Sequence, residues 1–146
     1  MFIRPANIAD LPSIIALAAD TSTSAQWPKE HYERAIQNTQ PKRLILVLED
    51  QSKILAFLVA RAVAREWELE NIAVASPRQG LGSLLMNEFL IMARQEQAEA
   101  IFLEVRESNS PARFFYEKSG FVITGHRLNY YADPKEAAIV YRRALS

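Results

Sequence analysis

The sequence predicts a single α/β domain in which helices flank one mixed β-sheet. The chain has 146 residues, which suits one domain, residues 1–146, with a sizeable hydrophobic core. Segments rich in β-branched and aromatic residues alternate with segments whose apolar residues recur at helical spacing. The apolar run "AIFLEV" at residues 100–105 has hydrophobic residues on both faces, as expected for a buried central strand.

The first half of the chain predicts the order βααβββ. A strand in "FIRPA", residues 2–6, stops at Pro5, and Asn7 can cap a helix in "ADLPSIIALAAD", residues 9–20. A second helix follows around residues 29–38, and then come strands at 43–50, 54–64 and 65–75.

The last of these strands, "REWELENIAVA", changes its hydrophobic side part of the way along. Trp67 and Leu69 alternate with the carboxylates of Glu66, Glu68 and Glu70. Continuing the same alternation puts Ile72 and Val74 on the acidic side, so we expect a β-bulge near Asn71.

The second half predicts the order αβαββ, which completes βααβββαβαββ. A helix in residues 80–96 carries one apolar stripe, formed by Leu81, Leu85, Phe89 and Met92. After the central strand, "PARFFYEKS" predicts a short helix with Ser110 as N-cap and Pro111 as its first residue, ended by Gly120. Strands at residues 121–131 and 136–145 finish the domain.

Composition excludes several function classes. Lys plus Arg equals Asp plus Glu at 17 each, so no net charge attracts nucleic acid. The chain has no cysteine, and His31 and His126 form no ligand pattern, so we expect no metal. The N-terminus does not resemble a signal peptide, and no apolar run approaches the ~20 residues of a membrane span. We expect a cytoplasmic protein, monomeric or weakly dimeric, that binds neither nucleic acid nor membrane.

The stretch "SPRQGLGSLL" holds two of the four glycines at a predicted strand-to-helix junction. A dinucleotide fingerprint would need a third glycine where Leu85 stands, and a P-loop would need a lysine after a glycine. A pyrophosphate cradle at a helix N-terminus remains, in which Gly80 and Gly82 expose backbone amides and Arg78 adds charge. A glycine-containing turn without a ligand is the alternative.

Three polar features could carry chemistry. Glu104 shares a strand face with Phe102 and Arg106, and an ionised carboxylate there must be paired or open onto a cleft. Pairing with Arg106 or another neighbour is the simpler interpretation. Tyr116 could equally be an amphipathic core tyrosine. The carboxylates of residues 66–70 are either a solvated face or an acidic lip that attracts an amine.

Taken together, "NIAV", "RQGLGSLL", "LEVRESNSPARFFYEKSGF" and "NYY" resemble the GNAT superfamily of acyl-CoA-dependent N-acetyltransferases. They are most similar to the bacterial ribosomal-protein-alanine N-acetyltransferases. The resemblance spans the element order and is strongest over residues 71–131. It implies a GNAT-like sheet that splays open so that acetyl-CoA, the cosubstrate, enters between two parallel strands.

The resemblance also implies roles for individual residues. Glu104 matches the general base and Tyr116 the general acid. Donor contacts fall on Ile72, Ala73, Val74, Arg78, Gln79, Gly80, Leu81, Gly82, Ser83 and Asn109. Acceptor contacts fall on Glu68, Glu70, Asn71, Tyr130 and Tyr131. The sequence departs from the family pattern at Pro77, which has no amide hydrogen to donate, and at Ala137, where relatives usually carry an acidic residue.

The chemistry favours a protein N-terminus as the acceptor. Deprotonating an α-amine near pH 7 costs about 1 to 1.5 kcal/mol, whereas a lysine side chain costs about 4 to 5 kcal/mol. Full proton transfer from Tyr116 to a thiolate is uphill by roughly 2 kcal/mol, so we expect it to act mainly by hydrogen bonding. Two alternatives stay open: acetylation of a lysine or small-molecule amine with Glu68 or Glu70 as base, and a non-catalytic acyl-CoA-binding module.

Overall fold

The computed structural model describes residues 1–21, 27–37, 42–76 and 79–145. A 3₁₀ turn at Ile8–Asp10 precedes the first helix, and the order is otherwise the predicted βααβββαβαββ. The strands are β1 (Phe2–Pro5), β2 (Arg43–Asp50), β3 (Lys53–Val63), β4 (Glu66–Val74), β5 (Ala100–Arg106), β6 (Val122–Ala132) and β7 (Lys135–Ala144). The helices are α1 (Leu11–Asp20), α2 (Lys29–Gln37), α3 (Leu81–Gln95) and α4 (Ser110–Lys118).

The strands form one seven-stranded sheet in the order β1-β2-β3-β4-β5-β7-β6. Neighbouring strands are antiparallel except for β4 and β5, which are parallel. This parallel pairing joins Glu66–Glu68 to Ala100–Phe102, whereas the two strands continue to Val74 and Arg106. The sheet therefore splits beyond Glu68 and Phe102, as the resemblance implied.

Helices cover both faces of the sheet. Ile14 of α1 and Tyr32 of α2 pack with Val47 and Phe57 on one face. On the other face, α3 and α4 pack against Leu58 and a group of β5 and β7 side chains. In the predicted stripe of α3, Leu81, Leu85 and Phe89 are buried and Met92 is partly buried, so the stripe is confirmed.

The predicted bulge lies in β4. Val59 of β3 pairs with Asn71, but the adjacent Ala60 pairs with Leu69, so Glu70 is an extra residue in β4. Trp67 and Leu69 pack on the α3 side of the sheet, whereas Ala73 packs on the α1 side. Beyond the extra residue, Ile72 and Val74 pack on the same α3 side as Trp67 and Leu69. The predicted bulge is thus confirmed, and it shifts the alternation by one residue instead of moving the hydrophobic side.

The start of α4 differs from the prediction. Asn109 is the N-cap, because its side-chain oxygen accepts a hydrogen bond from the Ala112 amide at 3.3 Å. Ser110 as the cap was therefore wrong, and Pro111 is the second helical residue. Proline fits there because the first amides of a helix need no acceptor within it. Gly120, at φ +92°, follows the end of α4 as predicted.

Candidate active site

The split between β4 and β5 exposes backbone along one edge of β4. Ile72, Ala73 and Val74 pair with β3 through Leu58, Phe57 and Ala56. The other edge of this segment faces the split, since the described pairing with β5 ends at Glu68. Backbone groups on such an edge need a partner from a ligand or water. The split can therefore bind an extended, amide-bearing molecule.

The N-terminus of α3 lies next to this segment and has the backbone arrangement that can bind an anion. Gly80 is its N-cap at φ +77°, and a Cβ added there would meet no atom within 4 Å. The Leu84 amide donates to the Gly80 carbonyl at 3.1 Å, so the amides of Leu81, Gly82 and Ser83 precede the first intrahelical bond. These amides and the helix dipole favour a phosphate. Arg78 and Pro77 lie outside the described residues.

Gly82 serves a different purpose from Gly80. A Cβ at Gly82 would lie 3.3 Å from the Phe115 ring of α4 and 3.7 Å from Cγ1 of Val74. The absence of a side chain thus allows α3 to approach the Phe115 ring of α4 closely, whereas the distance to Val74 is an ordinary contact. Of the two glycines, Gly80 provides an unusual backbone conformation and Gly82 provides close packing.

Glu104 lies on the sheet face opposite α3 and α4. Leu103 and Val105 point into the core on the α3 side, and Glu104 points the other way. Its side chain is 15% exposed, and both of its oxygens accept hydrogen bonds from Arg127 Nη1 at 3.0 Å. Arg106, the partner that the sequence suggested, instead bonds Glu136 at 3.2 Å. The carboxylate is therefore paired, but with a residue of β6.

Tyr116 lies on the α3 side of the sheet, packed among aromatic rings of Phe121 and Tyr141. Burial raises the pKa of Tyr116, and the nearby Tyr131 raises it further. Burial, followed by the charge of Glu104, raises the pKa of Tyr131 to about 12. Both phenols are therefore protonated at neutral pH and can donate hydrogen bonds.

Each carboxylate of the acidic strand has an arginine partner. Glu66 pairs with Arg142 at 3.3 Å, and Glu68 pairs with Arg61 at 2.6 Å. Glu70 receives two hydrogen bonds from the Arg43 guanidinium, at 2.9 and 3.1 Å. The face is thus charge-compensated, and an acceptor amine would compete with arginines for these carboxylates.

Asn71 is buried rather than open to an acceptor. Its side-chain amide donates to the Tyr32 hydroxyl at 2.9 Å, which joins β4 to α2 beside the bulge. Tyr130, by contrast, is exposed, and the Arg127 guanidinium stacks over its ring at 4.1 Å. The structure thus gathers Glu104, Tyr130 and Tyr131 on one side of the site, while Asn71 acts within the fold.

A cavity of about 700 Å³ lies on the same sheet face as Glu104, at the end where β4 and β5 pair, and Glu104 is not one of its lining residues. The lining of this cavity includes Phe102 and Val140. Phe102 lies two residues before Glu104 on β5, and Val140 is the residue of β7 that pairs with Glu104. Neither α1 nor α2 covers this part of the sheet in the hydrophobic packing described above. This face is therefore open around Phe102 and Val140, which neighbour Glu104 on β5 and β7.

Sequence reasoning missed Arg127, which contacts Glu104 in this site, and Tyr32, which holds Asn71 within the fold. Arg127 bonds Glu104 across 23 positions of sequence, and Asn71 bonds Tyr32 across 39. Both contacts depend on how strands and helices come together. The motif "NYY" was the only nearby signal, and it indicated the tyrosines that follow Arg127 rather than the arginine itself.

The fold and the site define a GNAT acetyltransferase. Residues 11–121 match the Acetyltransferase (GNAT) family, and the chain belongs to this family. It is therefore an enzyme, which sets aside the non-catalytic alternative. Among the described helices, none combines the length and the apolar character needed to cross a bilayer.

Individual relatives and solved structures show which members of this family the chain is similar to. The chain is 38% identical over 111 residues to the [ribosomal protein bS18]-alanine N-acetyltransferase of Haemophilus influenzae, covering 72% of this chain and 75% of the relative. The crystal structure of the ribosomal-protein-S18-alanine N-acetyltransferase of Escherichia coli superposes with a TM-score of 0.87 at 30% identity, over 99% and 94% of the two chains. Arabidopsis thaliana NAA60 in complex with acetyl-CoA shares the fold, with a TM-score of 0.85 over 99% and 98% of the chains, at 14% identity.

Proposed function

We propose that this enzyme transfers the acetyl group of acetyl-CoA to the N-terminal α-amine of a protein, specifically an N-terminal alanine of a ribosomal protein. The observation that carries the proposal is the position of Glu104 at the split, on the face opposite the N-terminus of α3. A donor and an acceptor can then reach the same gap from opposite faces. The relatives' names support the acceptor, and such an acceptor implies a cytoplasmic enzyme.

The residues present fit the donor. The amides at Leu81, Gly82 and Ser83 would hold its diphosphate, and the free edge of Ile72, Ala73 and Val74 would pair with its pantetheine amides. Gly80 leaves open space beside this cradle. When bound, the donor supplies a thioester, which is an acetyl group activated for transfer to an amine.

The chain's own groups then handle protons and charge. Glu104 would accept the proton of the attacking amine, directly or through a water. For an α-amine, reaching the neutral form near pH 7 costs only about 1 to 1.5 kcal/mol. The Tyr116 hydroxyl would donate a hydrogen bond to the departing sulfur. Because its pKa is raised, full proton transfer from Tyr116 is more costly than from an exposed tyrosine. A β4 amide facing the split would polarise the carbonyl.

The geometry favours Glu104 over Glu70 as the base. The Glu70 and Arg43 side chains are only 11% and 12% exposed and are joined by two hydrogen bonds. Arg127, the partner of Glu104, is 54% exposed. Of these two carboxylates, Glu104 is thus the one that an incoming amine can reach by displacing a solvent-exposed partner.

Three acceptors of matched concentration test the proposal with purified enzyme and acetyl-CoA. They are a peptide with a free N-terminal alanine, the same peptide with its N-terminus blocked and an internal lysine, and a polyamine. We expect the highest initial rate for the free N-terminus, with mass spectrometry locating the acetyl group on the α-amine. A higher rate for the lysine peptide or the polyamine would overturn the proposed acceptor while leaving the acetyltransferase activity intact.

A further inference from the structure

The hydroxyl of Tyr141 on β7 holds two successive turns of α4. It accepts a hydrogen bond from Arg113 Nε at 3.0 Å and donates one to a carboxylate oxygen of Glu117 at 2.6 Å. Arg113 and Glu117 are four positions apart, so they lie on one side of the helix, one turn from each other. Because one hydroxyl binds both side chains, α4 cannot slide or rotate on β7 without losing at least one of these hydrogen bonds.

The chemistry of the three groups fixes the direction of both hydrogen bonds. Tyr141 is fully buried, and burial raises the pKa of its phenol, so the hydroxyl keeps its proton and donates a hydrogen bond to the Glu117 carboxylate. The Arg113 guanidinium can only donate, so the phenol oxygen is the acceptor of its hydrogen bond. Both contacts involve a charged partner, and such hydrogen bonds are stronger than those between neutral groups.

This network surrounds the position of Tyr116 in α4. Tyr116 lies between Arg113 and Glu117 in the helix, and the centroids of the Tyr116 and Tyr141 rings are 6.2 Å apart. Arg113 also donates a hydrogen bond to the Glu107 carbonyl at 2.9 Å, in the turn between β5 and α4. The network thus attaches α4 to β7 and to the end of β5, and the position of the Tyr116 side chain follows from that of α4.

We propose that Tyr141 is a positioning residue for the transfer reaction, because it holds α4 at Arg113 and Glu117 and thereby sets the position of the Tyr116 hydroxyl. This inference rests on the proposed function, since it takes Tyr116 as the group that donates a hydrogen bond to the departing sulfur. Tyr141 acts on the reaction only through Tyr116. Its loss should therefore lower kcat, whereas KM for acetyl-CoA should change little because the diphosphate cradle belongs to α3.

Double-mutant kinetics test whether Tyr141 acts through Tyr116. Y141F keeps the ring and removes only the hydroxyl. With acetyl-CoA and a peptide that has a free N-terminal alanine, it should lower kcat about three- to tenfold, as expected when a group in the reaction is slightly displaced. In the Y116F background the same substitution should leave kcat unchanged, because the hydroxyl that Tyr141 positions is already absent. A purely structural role of Tyr141 would lower kcat by the same factor in both backgrounds.

Two positions provide the controls. E117A removes the acceptor of the Tyr141 hydroxyl and should lower kcat as Y141F does, whereas E117Q keeps an oxygen acceptor and should retain most of the wild-type kcat. Y32F is the matched control, because it also removes the hydroxyl of a buried tyrosine that is bonded to a polar side chain. It should lower the free energy of unfolding, measured by urea denaturation, without this loss of kcat.

The outcomes separate this inference from the proposed function. If Y141F keeps the wild-type kcat, or lowers kcat equally in both backgrounds, the role of Tyr141 is overturned and the proposed function stands. If Y116F itself keeps the wild-type kcat, the role of Tyr116 fails and the inference fails with it. If wild-type enzyme acetylates no N-terminus, the proposed acceptor fails, and the same comparison with the lysine peptide or the polyamine decides the role of Tyr141. Urea unfolding of each variant verifies that the fold is retained.

Discussion

The two arms of the sheet differ in how they are covered. In the arm formed by β1 to β4, helices pack on both faces, and Val47, Phe57 and Leu58 are fully buried. In the arm formed by β5, β7 and β6, the core lies on the α3 and α4 side. The edge strand β6 leaves Val122 and Ile123 61% and 45% exposed. The open arm is where an acceptor can approach.

Two ion pairs show what this difference means for function. Glu70 and Arg43 belong to the covered arm and are fixed by two hydrogen bonds between nearly buried side chains. Glu104 and Arg127 belong to the open arm, and the arginine reaches solvent. The same residue types thus stabilise the fold in one arm and can exchange partners in the other. We therefore expect substitutions in the covered arm to affect stability and those in the open arm to affect turnover.

The largest predicted effect on kcat comes from removing the charge of Glu104 in the open arm, compared with removing the charge of Glu70 in the covered arm. E104Q should lower kcat by about a hundredfold or more, as expected for loss of a general base, while donor binding by calorimetry persists. E70Q is the matched variant in the covered arm. It should leave kcat within a few-fold but lower the free energy of unfolding by about 1 to 3 kcal/mol, because Arg43 loses a charged partner.

Steady-state kinetics and urea unfolding of both variants measure this contrast. A large loss of kcat in E70Q together with near-normal turnover in E104Q would move the base role across the split to β4. It would also favour the alternative in which a lysine or a small amine is the acceptor.

A smaller effect is expected from Y116F. Losing a hydrogen bond to developing charge on sulfur should lower kcat about ten- to hundredfold, since hydrogen bonds to charged groups contribute about 1.5 to 3 kcal/mol. KM for the donor and the melting temperature should change little. A fall in melting temperature with unchanged kcat would show instead that Tyr116 serves only the core.

The smallest effect on turnover is expected from Y32F in the covered arm. The substitution removes the hydroxyl that accepts the Asn71 hydrogen bond beside the bulge. The free energy of unfolding should fall by about 1 kcal/mol, measured by urea denaturation, and kcat should stay within a few-fold. A loss of kcat comparable to that of Y116F would contradict the division between the two arms.

The order of the elements could be predicted from the sequence because it depends on local periodicity. The bounds of β2 were predicted to the residue, and the shift in the apolar alternation of β4 correctly predicted its bulge. The cap of α4 was misplaced by one residue. Asn109 and Ser110 are both good cap residues, and only the backbone conformation decides which side chain reaches the Ala112 amide.

The partners within the site could not be predicted, because they depend on strand order. β5 pairs with β7 rather than with β6, which follows it in sequence, and the β6–β7 pairing brings Arg127 to Glu104. Local spacing carries no information about such a neighbour. The roles of Glu104, Tyr116 and the donor-contacting residues remain predictions that the variants above can test.

The contact between Gly82 and Phe115 joins two helices that hold different parts of the proposed chemistry. Gly82 belongs to the first turn of α3, where a diphosphate would rest, and Phe115 precedes Tyr116 in α4. A bulky side chain at Gly82 would push the two helices apart and displace the phenol together with the phosphate cradle. The same helix–helix contact would therefore set the position of the donor's diphosphate and that of the Tyr116 hydroxyl. A shift of α3 at Gly82 would be transmitted through Phe115 to Tyr116.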